Sequence, residues 1–172
     1  MYNNSMNLLT RRTFLKNSFL GSVILLTYGG ELFGAVTPKQ TLAVLHKDLF
    51  PSSSFIPSVK FINANLYLDK IFVHSRISDE DKEFISDGVR WLNEEAVNKY
   101  KKVYVNLNAK KRQKVLQEVV DTDWGESWLQ NIMMYMMEAM LGDPIYGGNG
   151  GELGWKWLNH EPGLPRPTKA YL

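Results

Sequence analysis

The 172-residue sequence predicts an all-α protein: a small helical domain of about five helices, closed by an irregular segment rich in glycine and aromatic residues and preceded by an N-terminal signal. Three observations carry that prediction. Apolar residues recur three and four positions apart through most of the chain. Capping residues stand just ahead of these runs, with proline or glycine stops behind them. No convincing hairpin signal interrupts the pattern.

The first element is Thr10-Arg11-Arg12-Thr13-Phe14-Leu15-Lys16, followed by the apolar run Phe19-Leu20-Gly21-Ser22-Val23-Ile24-Leu25-Leu26. A basic stretch feeding a short apolar one is the layout of an export signal. The pair Arg11 and Arg12, completed by Phe14, Leu15 and Lys16, makes it a twin-arginine signal, an address read by the twin-arginine translocase. An ordinary secretory signal or a membrane anchor is the competing reading. A spanning helix needs roughly 20 mostly apolar residues, whereas Gly21, Ser22, Thr27, Gly29 and Gly30 dilute this run. No Ala-x-Ala site is present, and a cut after Ala35 would leave bulky Phe33 close upstream. Cleavage around Gly34–Thr37 and retention as an N-terminal tether both stay open. We place the signal peptide at residues 1–36 and the helical domain at 37–172.

That domain opens at Thr37-Pro38, a hydroxyl cap followed by proline at the first helical position. Leu42, Val44, Leu45, Leu49 and Phe50 follow until Pro51 stops the helix. Beyond the proline-bounded loop to Pro57, Ser58 can cap a second helix with Val59, Ile62, Leu66 and Ile71 at helical spacing. Ser78-Asp79-Glu80-Asp81 combines a cap with three acids in the positive first turn. It predicts a third helix to about Tyr100, with Phe84, Ile85, Val89, Leu92, Ala96 and Val97 inward. Val103-Tyr104-Val105 is too short for a sheet. Asn108 caps a lysine-rich helix to about Val120, and Ser127 begins Trp128 to Leu141, ended by Gly142-Asp143-Pro144. From Ile145 onward no period is legible.

Composition narrows the function. Three of the 20 bases (Arg11, Arg12, Lys16) and one of the 18 acids (Glu31) lie in the leader, so 17 of each remain. That balance offers no basic surplus for nucleic acid. Without cysteine there is no disulfide, iron–sulfur ligation or thioether-linked haem in this chain. His46, His74 and His160 stand apart from one another, as packed or surface residues do rather than metal ligands. The run Lys110-Lys111-Arg112 with Lys114 reads as a solvated face, with an acidic partner surface the lesser alternative. The acids Asp121, Asp123 and Glu126 around Trp124 read as solvated or capping groups. No nucleophile elbow or dinucleotide fingerprint occurs.

Two stretches stand out. Met133, Met136, Met137 and Met140 lie at i, i+3, i+4 and i+7 and share one helix face, with Met134 beside them. Clustered thioethers can hold Cu(I). They also fill irregular cores and adaptable partner surfaces, and no histidine or cysteine accompanies them. The second stretch runs from Gly142-Asp143-Pro144-Ile145-Tyr146-Gly147-Gly148-Asn149-Gly150-Gly151 to Trp155-Lys156-Trp157-Leu158. A phosphate loop would follow a strand and carry a base within the glycines; this one follows a helix and carries none. Tyr146, Trp155 and Trp157 fit either closure of the core or the anchors of an interface.

Together, the twin-arginine leader, Leu49-Phe50-Pro51, the Asp79-Glu80-Asp81 helix start and the block Gly142–Asn149 with Gly154-Trp155-Lys156-Trp157 resemble the gluconate 2-dehydrogenase subunit 3 family. The resemblance covers nearly the whole chain. It implies a non-catalytic small subunit of a periplasmic, membrane-associated, FAD-dependent dehydrogenase of sugars or sugar acids. On that reading FAD belongs to the catalytic subunit, haem c to a cytochrome c subunit, and neither to this chain. It also implies that the small subunit carries a flavoprotein lacking its own signal through the translocase. Membrane association would be indirect, or made through an uncleaved leader. Met133, Met136, Met137, Met140, Tyr146, Trp155 and Trp157 are then the expected partner interface. A free-standing exported binding module, holding a metal on the Met face, is the alternative.

Overall fold

The computed structural model describes residues 24–28, 31–53 and 62–170. Six α-helices lie among them: α1 (Pro38–Leu49), α2 (Ala64–Val73), α3 (Asp79–Tyr100), α4 (Ala109–Val120), α5 (Gly125–Leu141) and α6 (Leu153–Leu158). The helical body is all-α, as the periodicity predicts. A two-stranded antiparallel hairpin precedes it, β1 (Ile24–Tyr28) with β2 (Glu31–Val36), Ile24 opposite Val36 and Tyr28 opposite Glu31. This corrects the sequence reading, which found no hairpin. The overlooked signal is Gly29-Gly30, a two-residue link of the kind that joins paired strands. β1 lies along α3, and Val36 is buried against Val97 and Val103.

Local chemistry sets most helix starts. The Thr37 hydroxyl accepts from the Gln40 backbone N–H, while the Gln40 side chain accepts from the Thr37 N–H, closing a capping box ahead of Pro38. Ser78 caps α3 by accepting from the Asp81 N–H, and Asn108 caps α4 by accepting from that of Lys111. α2 begins at Ala64 after Asn63 in the left-handed region; the expected cap, Ser58, lies outside the described residues. α5 begins at Gly125, two positions ahead of Ser127, because the Thr122 hydroxyl and carbonyl both accept from the Gly125 N–H. Val103-Tyr104-Val105 leads into a 3-10 turn, Tyr104–Asn106, with Tyr104 fully buried.

α3 is the central post. Ile85, Val89, Leu92 and Ala96 line its inner face, against Leu42 and Leu45 of α1, Val115 and Val119 of α4, and Trp128 and Ile132 of α5. Trp128 is fully buried, and its indole lies flat on the backbone at Gly88: a Cβ there would fall 2.1 Å from the ring nitrogen. The same Nε1–H donates to the Ile85 carbonyl at 3.2 Å, so the ring's one polar atom is satisfied in the core. Asn93, also buried, donates to the Thr41 hydroxyl and the Val89 carbonyl and accepts from the Tyr104 N–H. One side chain thereby joins α1, α3 and the 3-10 turn.

Asp48 at the end of α1 accepts two hydrogen bonds from Arg112 (2.6 and 3.0 Å) and one from the Tyr104 hydroxyl (2.8 Å). Burial, then the neighbouring carboxylate, pushes the Tyr104 phenol well above its ordinary range. The pair fixes α4 to α1 through a bidentate fork.

Two outcomes follow from this packing. Alanine is the better helix former by about 1 kcal/mol, yet Gly88→Ala is expected to destabilise by roughly 1–3 kcal/mol because the Trp128 ring must move. The urea midpoint of unfolding measures it. His46, 3 % exposed, has a pKa lowered to about 4 by burial against an ordinary 6.5. Between those values the unfolded chain takes up a proton that the folded chain refuses. Stability contributed by neutral His46 is therefore complete above pH 6.5 and falls toward pH 4, by on the order of 3 kcal/mol. Urea midpoints at pH 7 and 4.5 should fall further for the native chain than for His46→Leu.

Candidate partner interface

The Gly/aromatic block is built as a cap on the C-terminal end of α5. A helix end leaves its last carbonyls without partners, and this loop supplies them. The Trp155 indole N–H donates to the Leu141 carbonyl at 2.6 Å, and the Asn149 amide donates to the Gly142 carbonyl at 3.2 Å. Asn149 also accepts from the Gly154 N–H at 2.8 Å and is itself buried. Gly148 and Gly154 let the loop lie directly on α5: a Cβ on either would fall 2.2 Å from the Ala139 carbonyl oxygen or 2.0 Å from that of Met140.

This cap starts the short helix α6 and sets its rotation. Trp155 turns inward and is 6 % exposed, while Trp157, two positions on, faces out at 39 %. Arg166 closes the cap from outside. It stacks over the Trp155 ring at 4.6 Å and reaches Asp143 at 2.9 Å and Glu152 at 3.1 Å. That guanidinium, with the Ile145 N–H, holds the Asp143 carboxyl below its usual range.

Trp157 meets Phe50, the residue that ends α1, edge to face at 6.4 Å. Phe50 in turn lines a shallow apolar cleft with Ile62, Met136, Met137 and Met140. The cleft is about 10 Å³, no more than one water requires. Met137 leads along α5 to the exposed Met133 and Met134. The result is an exposed apolar strip from Met133, Met134 and Met137 across Phe50 to Trp157 and Leu158.

The expected interface residues therefore separate. Met133, Met137 and Trp157 lie on the strip; Met136, Met140 and Trp155 are buried; Tyr146 is half-buried in the 3-10 turn Pro144–Tyr146. The four methionines thus present two thioethers to the core and two to solvent. Phe50, Met134 and Leu158 join the strip without having been expected there. Phe50 could have been found as the apolar residue between a helix end and Pro51. The targeting residues Arg11, Arg12, Phe14, Leu15 and Lys16 lie outside the described residues.

Of the histidines, His46 is in the core, His74 accepts from the Arg76 N–H at 3.0 Å, and His160 meets the Trp155 ring at 5.7 Å. Among the described residues no three His, Asp or Glu side chains gather as a metal site would require, and no helix is long and apolar enough to cross a membrane.

The sequence profile of gluconate 2-dehydrogenase subunit 3 matches residues 37–163, and the chain belongs to that family. The family's name describes one subunit of a multisubunit dehydrogenase. No individual curated protein and no solved structure matches the chain.

Proposed function

We propose that this chain is the non-catalytic small subunit of a periplasmic, FAD-dependent dehydrogenase complex. It grips a flavoprotein subunit that lacks a signal, conducts it in folded form through the twin-arginine translocase, and stays bound outside. FAD resides in the catalytic partner, and a cytochrome c subunit with haem c accepts the electrons. Residues 1–36 supply the address, with Arg11 and Arg12 at its centre, and residues 37–172 supply the grip. Membership in a family of dehydrogenase subunits carries this reading.

The strip of Met133, Met134, Met137, Phe50 and Trp157 supports it. A tryptophan set among methionines gives an aromatic anchor in an adaptable apolar surround, a composition that interfaces favour. A stable complex removes roughly 1,200–2,000 Å² from water, so the strip would form the centre of a larger contact.

Two experiments test the two halves of the proposal. In cells making both proteins, Arg11→Lys with Arg12→Lys should leave this chain and the flavoprotein in the cytoplasm. A flavoprotein still exported by that double variant would refute the escort role. Met137→Glu with Trp157→Glu should lower co-purification of the flavoprotein at least about tenfold, since hot-spot losses of 2 kcal/mol or more are expected at such anchors. Both positions are exposed, so the thermal midpoint of the isolated chain should shift little. Undiminished co-purification would remove the strip from the interface.

A further inference from the structure

Of the seven methionines, Met1 and Met6 precede the helical body and the other five fall together at residues 133–140 of α5. Packing divides those five. Met136 and Met140 are 4 % and 1 % exposed, whereas Met133, Met134 and Met137 keep 47 %, 45 % and 41 % of their surface in solvent. Met133 and Met137 stand one turn apart with Met134 beside them, and Met137 continues into the cleft with Phe50 and Ile62. Every exposed methionine among the described residues therefore lies on the apolar strip. The chain has no cysteine, so thioether is its only sulfur, and in the body these three are the ones open to an oxidant.

Hydrogen peroxide oxidises a thioether in one two-electron step. The sulfur lone pair attacks one peroxide oxygen and the O–O bond breaks. That oxygen stays on sulfur as the sulfoxide, and the other leaves as water, so sulfur supplies the two electrons that reduce the peroxide. The product is polar where the thioether was apolar. Sulfoxides at Met133, Met134 and Met137 would put three hydrogen-bond acceptors on a surface that a docked partner must cover, and each one buried without a donor opposes docking. The fold is spared, because the thioethers that complete the core belong to Met136 and Met140. The same helix thus carries an oxidisable outer set and a shielded inner one.

We propose that Met133, Met134 and Met137 form a reversible oxidation site: a peroxide converts their thioethers to sulfoxides, which weakens the strip's hold on its protein partner until methionine sulfoxide reductases restore it. This rests on the strip being the flavoprotein contact. The test treats the purified full chain with dilute hydrogen peroxide, removes the excess with catalase, and maps the sulfoxides by peptide mass spectrometry. Met133, Met134 and Met137 should be converted while Met136 and Met140 stay intact, with little change in thermal midpoint. Capture of the flavoprotein should fall at least about tenfold, the loss expected when acceptors are buried unpaired. It should return after treatment with the A-type and B-type reductases, one for each sulfoxide epimer. Met133→Leu with Met134→Leu and Met137→Leu keeps the strip apolar at similar volume and should capture equally before and after peroxide. Equal conversion of all five methionines, or a leucine set that still loses capture after peroxide, would overturn the proposal. So would an oxidised chain that captures undiminished while Met137→Glu with Trp157→Glu does not. Should that glutamate pair capture undiminished as well, the strip is not the contact and both readings fall.

Discussion

The contact of the Trp128 indole with the bare backbone at Gly88 determines how close α5 can come to α3. With any side chain at position 88 the ring would stand off, and Val89, Leu92 and Ile132 would lose the interdigitation that leaves them with essentially no exposure. The indole hydrogen bond to the Ile85 carbonyl adds direction to an otherwise nondirectional apolar contact, fixing the rotation of α5 as well as its distance. Rotation decides which methionines meet solvent. On a helix turning 100° per residue, the buried residues Trp128, Leu129, Ile132, Tyr135, Met136, Ala139 and Met140 fill one continuous arc, and Met133, Met137 and Met134 follow from its edge outward. A turn of α5 by about 60° would carry Met133 and Met137 into that arc as well. The apolar strip is thus a downstream consequence of one glycine and one tryptophan in the core.

The C-terminal block repeats this logic at the other end of α5. Its glycines admit close approach, Asn149 and Trp155 complete the helix-end carbonyls, and α6 is left with one tryptophan inside and one outside. Trp155 and Trp157 look equivalent as residue types. Their roles differ because they stand two positions apart on a helix whose inner face is already assigned by Gly154 against Met140. Stability and exposure are therefore divided within a single turn.

How much of this was legible depends on the range of the interaction concerned. Thr37 with Gln40, Ser78 with Asp81 and Asn108 with Lys111 act within three residues, and the sequence displays both partners of each cap. The helical class and three of the main helix starts could be read from them. The Met stripe was legible as periodicity but not as a boundary, because a period locates a face and not the line where the core ends. α6 has six residues and no period long enough to detect; Asn149 and Gly154 define it through contacts that only the folded chain makes. The hairpin was missed for another reason. Its apolar strand also satisfies the rule for the core of a leader, and the flanking Arg11 and Arg12 gave that interpretation precedence over Gly29-Gly30.

Three polar side chains tie the helices together: Asn93 joins Thr41 and the Tyr104 turn, Asp48 joins Arg112 and Tyr104, and Asn149 joins the end of α5. What the body turns outward is of two different physical kinds, apolar area along the strip and lysine charge at the end of α3 and the start of α4. Apolar burial is short-ranged and nearly indifferent to salt; lysine attraction reaches about a Debye length, near 10 Å in dilute salt, and is screened beyond it. A surface of the first kind holds what has already docked, whereas one of the second kind orients the body before contact. The strip belongs to α1, α5 and α6 and the lysines to α3, α4 and the link between them, so the two kinds of surface draw on separate residues.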